Sequence, residues 1–254
     1  MAEVQPDLTI CVAACGVLES TRRFLRAVYA TAGHAGLEVF VLGLGRQAEA
    51  AALAAEFPAI AMLGGHPGEN MTKTINRAVH ESGGRYVSVW DAGSVVTSGC
   101  LTSLVEFLDE APEAGIAGPK IRNESGEIQQ VARTSPSIFS LLLPSGMAPG
   151  RPAAGWNEYG GGETDWFAGP GLTVSRHLLD DIGGFHPGLT LYWPVEFCLR
   201  ARRAGWHVHY LHEAQAAGSL GAWRQALSAG QESFLRRLWE ACLLKVTWRF
   251  RSGV

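Results

Sequence analysis

The chain has 254 residues, 47% of them hydrophobic and 18% charged, so it can bury a sizeable core without disulfides or metals and is neither disordered nor collagen-like. Its 21 Lys and Arg against 24 Asp and Glu give a formal charge of −3, which removes any global attraction to nucleic acid and leaves only local basic surface to consider.

Leu8 to Ala13 reads as a short buried strand, and Ser20 as the cap of a helix running on through Val28. The pattern recurs: Leu37 to Leu42 is a strand, Ala48 to Glu56 a helix stopping before Pro58, and Ile60 to Leu63 a further short strand. Asn70 to Ser82 is a helix closed by Gly83-Gly84, and Arg85 to Trp90 is a strand that delivers Asp91 to its carboxyl end. Strands alternating with helices imply a parallel sheet covered by helices, in which ligands bind beyond the carboxyl ends of the strands. The loops after Ala13, Leu42 and Trp90 are therefore the expected site.

The second half begins with a Pro/Gly-rich connection through Pro144, Pro149, Pro152, Gly155 and Gly160 to Gly162, which reads as a lid over the site or as a linker. Beyond it come a strand from Gly171 to Ser175, a helix from His177 to Ile182, the turn Gly183-Gly184-Phe185, a helix from about Val195 to Ala204, and an edge strand from Trp206 to Leu211. The last segment, Glu232 to Arg251, spaces Phe234, Leu235, Leu238, Trp239, Cys242, Leu243 and Val246 as one face of a helix carrying Arg236, Arg237, Lys245, Arg249 and Arg251. Such a segment either packs on the core with its basic face in water or lies on an anionic membrane surface or partner groove. Residues 1–225 are expected to form one domain and 226–254 a helical extension.

The five cysteines (Cys11, Cys15, Cys100, Cys198, Cys242) read as buried reduced thiols, since the C-x3-C pair has no second cluster to complete a zinc site. No apolar run reaches the ~18 residues of a membrane span, and residues 1–7 carry acids and a proline where a secretory leader needs basic and then apolar residues. The expected location is the cytoplasm, with the basic tail allowing attachment to a membrane periphery.

Several segments in order resemble the family 2 glycosyltransferases, in particular rhamnosyltransferase-like members. They are Ile75-Asn76-Arg77-Ala78; Gly84-Arg85-Tyr86-Val87 with Asp91; and Gly118-Pro119-Lys120-Ile121 with Gly126, Gln129 and Arg133. In the second half they are Asp165-Trp166-Phe167-Ala168-Gly169 with Arg176, Ile182-Gly183-Gly184-Phe185, and Cys198-Leu199-Arg200 with Ala204-Gly205-Trp206. The resemblance runs from about residue 8 to 220. It implies an α/β fold of the GT-A type, with a mainly parallel Rossmann-like sheet between helices, to which the amphipathic segment read from its own spacing is added at the end. It also implies transfer of a sugar from a nucleotide-sugar donor to a glycan, lipid-linked or natural-product acceptor.

The acidic hallmarks of that family are altered. Gly43 stands near the place of a nucleotide-holding aspartate, and Asp91-Ala92-Gly93 replaces a D-x-D loop, so that only Asp91 remains for the donor or for Mg2+ or Mn2+. Trp193-Pro194 replaces an E-D pair whose aspartate is the catalytic base, His186 follows the Gly-Gly-Phe turn in place of an aspartate, and Gly218 falls near a common histidine. Glu196 is the nearest carboxylate able to act as base; equally, it suits the first turn of a helix opened by Pro194. Asp91 is expected to face the ligand, or else to cap its own turn. Magnesium can bind through one carboxylate with phosphates and water, so a single aspartate is compatible with weak or absent metal dependence.

On the donor side the resemblance points to Ala13, Asn76, Arg77, Asp91 and Arg133, with Lys73 and Lys120 as further cations for a diphosphate. On the acceptor side it points to Trp166 and Trp193, indoles that serve either as sugar-stacking walls or as core. His207 and His209 share a strand face at metal-ligand spacing without a third ligand, and His186 and His212 are candidate bases near neutral pH. Because so many carboxylates are replaced, a binding or scaffolding subunit without turnover is the alternative to an enzyme.

Overall fold

Parallel strands buried on both faces need apolar runs, and the first, β1 (Leu8–Ala13), has all six residues at or below 1% exposure. It lies between β2 (Leu37–Leu42) and β4 (Tyr86–Asp91), parallel to both, and β2 is flanked in turn by β3 (Ile60–Leu63). The computed structural model describes residues 5–14, 18–31, 36–43, 47–64, 69–135, 151–153 and 159–220 together with Trp223. Residues 15, 144, 149 and 155 and the expected helical extension at 226–254 lie outside that set.

The helices follow their apolar spacing. α1 (Leu18–Thr31) buries Thr21, Phe24, Leu25 and Val28 at three- and four-residue intervals, and its first turn already contains Ser20, which the sequence suggested as the cap. α2 spans Gln47–Glu56 and buries only Leu53. α3 (Met71–Glu81) starts where expected: the Asn70 carbonyl oxygen of the side chain accepts the Lys73 N–H at 3.0 Å. After β5 (Val95–Val96) come α4 (Cys100–Glu110) and the nine-residue β6 (Ala114–Arg122).

The second half adds β7 (Ala132–Arg133), β8 (Gly162–Glu163), β9 (Trp166–Phe167), β10 (Leu172–Ser175), α5 (Arg176–Ile182), α6 (Trp193–Arg203) and β11 (His207–Ala217). The main sheet runs β3-β2-β1-β4-β10-β6-β11-β5, with β8 also on β11, while β7 and β9 form a small sheet of their own. Strands β1, β2, β3, β4, β6 and β11 point one way, and β5, β8 and β10 the other, giving the mainly parallel α/β sheet that the alternation implied.

One expectation is corrected here. The segment from Trp206 was read as an edge strand, but β11 is eleven residues long and pairs with β6 on one side and with β5 and β8 on the other. Its ladder skips between Leu211 and Gln215, opposite Pro119 and Lys120 of β6. Pro119 has no N–H to give, and the bulge on β11 falls where that donor is missing.

Two contacts tie the halves together. Gly118 of β6 lies under the Phe167 ring so closely that an added Cβ would sit 2.3 Å from it, so no larger residue fits where the small sheet meets the main one. Arg176, at the start of α5, donates to the carbonyls of Gly84 (3.0 Å), Val79 (2.8 Å) and Ser82 (3.2 Å), closing the end of α3 onto β10.

Arg176→Ala is expected to cost about 2–3 kcal/mol of unfolding free energy in urea, because three carbonyls lose a charged donor together; a loss below about 0.5 kcal/mol would mean that water replaces the guanidinium. Cys11, Cys100 and Cys198 are buried, and burial pushes each thiol up to about 12. Iodoacetamide at pH 8 is therefore expected to leave these three unmodified in folded protein and to alkylate them in denaturant, as read by peptide mass spectrometry.

Candidate active site

β1, β2, β3 and β4 end level with one another: Ala13 is opposite both Leu42 and Asp91, and Leu42 is opposite Leu63. The backbone keeps that line beyond the strands, with Ala14 N–H on the Leu42 carbonyl (2.9 Å), Gly43 N–H on that of Leu63 (3.0 Å) and Ala92 N–H on that of Ala13 (3.0 Å). The loops named from the sequence therefore leave from one level, the place where open α/β sheets bind ligands.

Asp91 is 2% exposed, and both its oxygens are engaged by its own loop. Oδ1 accepts the Gly93 N–H at 2.7 Å and Oδ2 accepts the Ser94 hydroxyl at 2.8 Å, with Ser94 N–H on the Asp91 carbonyl at 3.2 Å. Burial raises its carboxyl above the usual carboxylate range, opposed by the donors from Ser94 and Gly93. Ser94 was not singled out in the sequence, although an aspartate three residues before a serine across Ala-Gly is a turn-forming pattern. As it stands, this donor set does not fit a divalent ion: one carboxylate with both oxygens spoken for, and among the described residues no group of three or more His, Cys, Asp and Glu that could hold a metal.

A second group of the expected residues meets around the Gly183-Gly184-Phe185 turn. Asn76 clasps Phe185 through its backbone, Nδ2 donating to the carbonyl (2.7 Å) and Oδ1 accepting the N–H (2.9 Å). The Phe185 ring packs on Trp193 at 4.4 Å between centroids, and Trp193, fully buried, also meets Trp223 edge-on at 6.3 Å. One turn along α6, Glu196 is 8% exposed and takes Arg200 in a bidentate pair, 2.9 Å to Nε and 3.1 Å to Nη2. Arg200 also donates to the carbonyls of Ile182 and Gly184, so that Glu196 is fixed to the turn through it. The i, i+4 spacing of Glu196 and Arg200 on a helix was the available sequence signal for this partner. Pro194 sits at the start of the helix as expected, which begins at Trp193, two residues earlier than the hydrophobic pattern suggested.

Arg133 and Trp166 face each other across the β7–β9 pair. Arg133 is 5% exposed with Nη1 donating to Gln130 (3.3 Å), and Trp166 is 3% exposed with its indole N–H on the Thr134 carbonyl at 3.0 Å. Arg77 turns toward the strand end after β3, bonding the Gly64 carbonyl and lying 3.5 Å from Glu69. Lys120 is buried in β6, whereas Lys73 is exposed on the first turn of α3.

His186 directly follows Phe185 in the glycine turn, whereas His207, His209 and His212 belong to β11. His186 Nδ1 accepts the Gly188 N–H (3.1 Å) and His212 is 3.8 Å from Glu213. His207 and His209 are 6.3 Å apart at the amino end of β11, with Glu163 3.3 Å from His207; burial holds the His209 imidazole below its usual range.

No family model matches the chain. It is similar to the N-acetylglucosaminyl-diphospho-decaprenol L-rhamnosyltransferase of Mycobacterium tuberculosis, strains CDC 1551 / Oshkosh and ATCC 25618 / H37Rv, with 27% identity over 126 residues. That stretch covers 46% of this chain and 41% of the relative's length. Among solved structures it is similar to GalNAc-T7 with UDP, GalNAc and Mn2+, at a TM-score of 0.65 and 12% identity over 84% of this chain and 43% of that one. It is also similar to S. aureus TarS 1-349 in complex with UDP-GlcNAc (TM-score 0.58, 12% identity, 84% and 58% covered) and to S. aureus TarS (0.59, 14%, 84% and 36%). At these identities the structural likeness is one of fold. The chain has the GT-A-type α/β fold, and the proteins it resembles, in sequence and in fold, are glycosyltransferases.

Proposed function

We propose that this protein is a glycosyltransferase that moves a sugar from a nucleoside-diphosphate donor to an acceptor hydroxyl. The observation that carries the reading is the level edge formed by Ala13, Leu42, Leu63 and Asp91, with the ordered Asp91–Ser94 turn beside it. It is supported by a fold shared with proteins whose structures hold UDP or UDP-GlcNAc, and by the sequence match to a rhamnosyltransferase.

In this reading the donor lies across the ends of β1 and β4, with Ala13 as floor, the Asp91 turn as wall, and Arg77 and Arg133 as its cations. Asn76 acts by holding the Gly183-Gly184-Phe185 turn. Glu196, fixed by Arg200, takes the acceptor hydroxyl proton as the new bond forms from that oxygen to the anomeric carbon. The bond from the anomeric carbon to the diphosphate oxygen breaks, and the nucleoside diphosphate leaves with its electron pair. Trp166 and Trp193 shape the acceptor end from beneath the surface, being buried. The relative's name carries a sugar on a lipid diphosphate, and an acceptor of that class, presented at a membrane periphery, is the one we propose; no helix among the described residues is long and apolar enough to cross a membrane.

The test is calorimetric titration of the full chain with nucleoside diphosphates and nucleotide sugars. Micromolar binding of one donor is expected, and silence across a broad panel from folded protein would overturn the reading in favour of a binding or scaffolding role. With donor and acceptor in hand, Glu196→Gln is expected to lower kcat by about 10²–10³-fold and leave donor affinity nearly unchanged. Asp91→Ala is expected to weaken donor binding by about tenfold, the equivalent of one or two lost hydrogen bonds. Equal residual turnover in the two variants would remove both assignments.

A further inference from the structure

The loop after β4 closes on itself. Asp91 spends one oxygen on the Gly93 N–H and the other on the Ser94 hydroxyl, and Ser94 is fully buried. Gly93, two residues on, brings no second carboxylate, and its N–H already belongs to Asp91. Beside this loop, Gly218 follows β11 with its N–H on the Arg122 carbonyl (2.8 Å). A Cβ there would lie 3.1 Å from Ser94 Oγ and 3.6 Å from side-chain atoms of Ile121 and Pro170, so a larger residue at 218 would press on Ser94 Oγ. Positions 91, 93 and 218 thus hold a carboxylate committed to its own loop, a glycine, and a second glycine packed against that carboxylate's partner.

We infer that Asp91 and Ser94 form a latch that orders the donor loop in place of a divalent ion, and that the donor diphosphate is bound without one. The inference rests on the nucleotide-donor reading above and deepens it. A hydroxyl donating to a buried carboxylate keeps the loop in one conformation with no ion present, and the charge of the diphosphate is then met by cationic side chains and N–H groups, which makes binding sensitive to ionic strength.

Two measurements on the full chain test this. The first titrates the nucleoside diphosphates with EDTA and, separately, with Mn2+: dissociation constants agreeing within about threefold are expected, and binding that appears only with Mn2+ would overturn the latch while leaving the donor reading intact. The second needs no nucleotide and decides the matter if none binds, an outcome that would count against the donor reading instead. Asp91→Asn and Ser94→Ala are each expected to melt about 3 °C or more below the wild type, with Mn2+ leaving all three melting temperatures unmoved. A wild-type melting temperature raised by Mn2+, with the rise lost in Asp91→Asn, would make Asp91 a metal ligand and overturn the proposal. Unchanged melting of both variants would also overturn it.

Discussion

The parallel pairing of β1 with β2 and β4 is the constraint on which the rest depends. Because β1 is buried, its backbone groups find their partners in those two strands and the residues that flank them, as where Leu8 N–H meets the Gly36 carbonyl and the Ala13 carbonyl takes the Ala92 N–H, and the register that satisfies them sets Ala13, Leu42 and Asp91 side by side. The level edge is thus a by-product of hydrogen-bond completeness. Once it exists, three connections leave the sheet from a single line.

The candidate site residues are more tightly bound to the protein than open catalytic groups usually are. Asp91 is committed to Gly93 and Ser94, Asn76 to Phe185, and Glu196 to Arg200, each by two hydrogen bonds. Such double contacts fix side-chain direction at little entropic cost once the helices are in place, which is what a site needs if it is to bind a flexible sugar nucleotide without rearranging. They also mean that the two groups are ordered independently: one by a turn within four residues, the other by a network that spans α3, the glycine turn and α6.

The first ninety-one residues were legible because local signals agreed there. Apolar runs of four to six residues, the Asn70 cap and Gly83-Gly84 marked β1, β2, α3 and β4 to within about a residue, whereas the cap expected at Ser20 falls inside α1. The stretch from Cys100 to Arg122 was less so, since α4 opens on Gly99 without a side-chain cap and β6 contains Gly115, Gly118 and Pro119, residues that argue against a central strand. Gly118 is there because the Phe167 ring needs its space, a reason that lies fifty residues away and leaves no local trace. Likewise β11 alternates like an edge strand through His207 and His209, although a two-residue strand, β8, covers that side. For the site, the residue positions at strand ends could be read, whereas their commitments to partners could not: nothing in the spacing of Asn76 announces Phe185, more than a hundred residues downstream.

The placement of β10 has a consequence for synthesis. β4 takes β1 on one side as soon as residue 91 is available, but its other neighbour is β10, which begins at Leu172. Until that strand emerges, a nascent chain holding the completed β3-β2-β1-β4 half exposes one row of unpaired N–H and C=O groups along an apolar strand, the kind of edge on which chains associate wrongly. At about 5–20 residues per second the interval lasts some seconds. The antiparallel β10 is therefore the piece that turns a half-sheet at risk on the ribosome into a closed one, and a pause in translation before residue 172 would lengthen the period in which chaperones are needed.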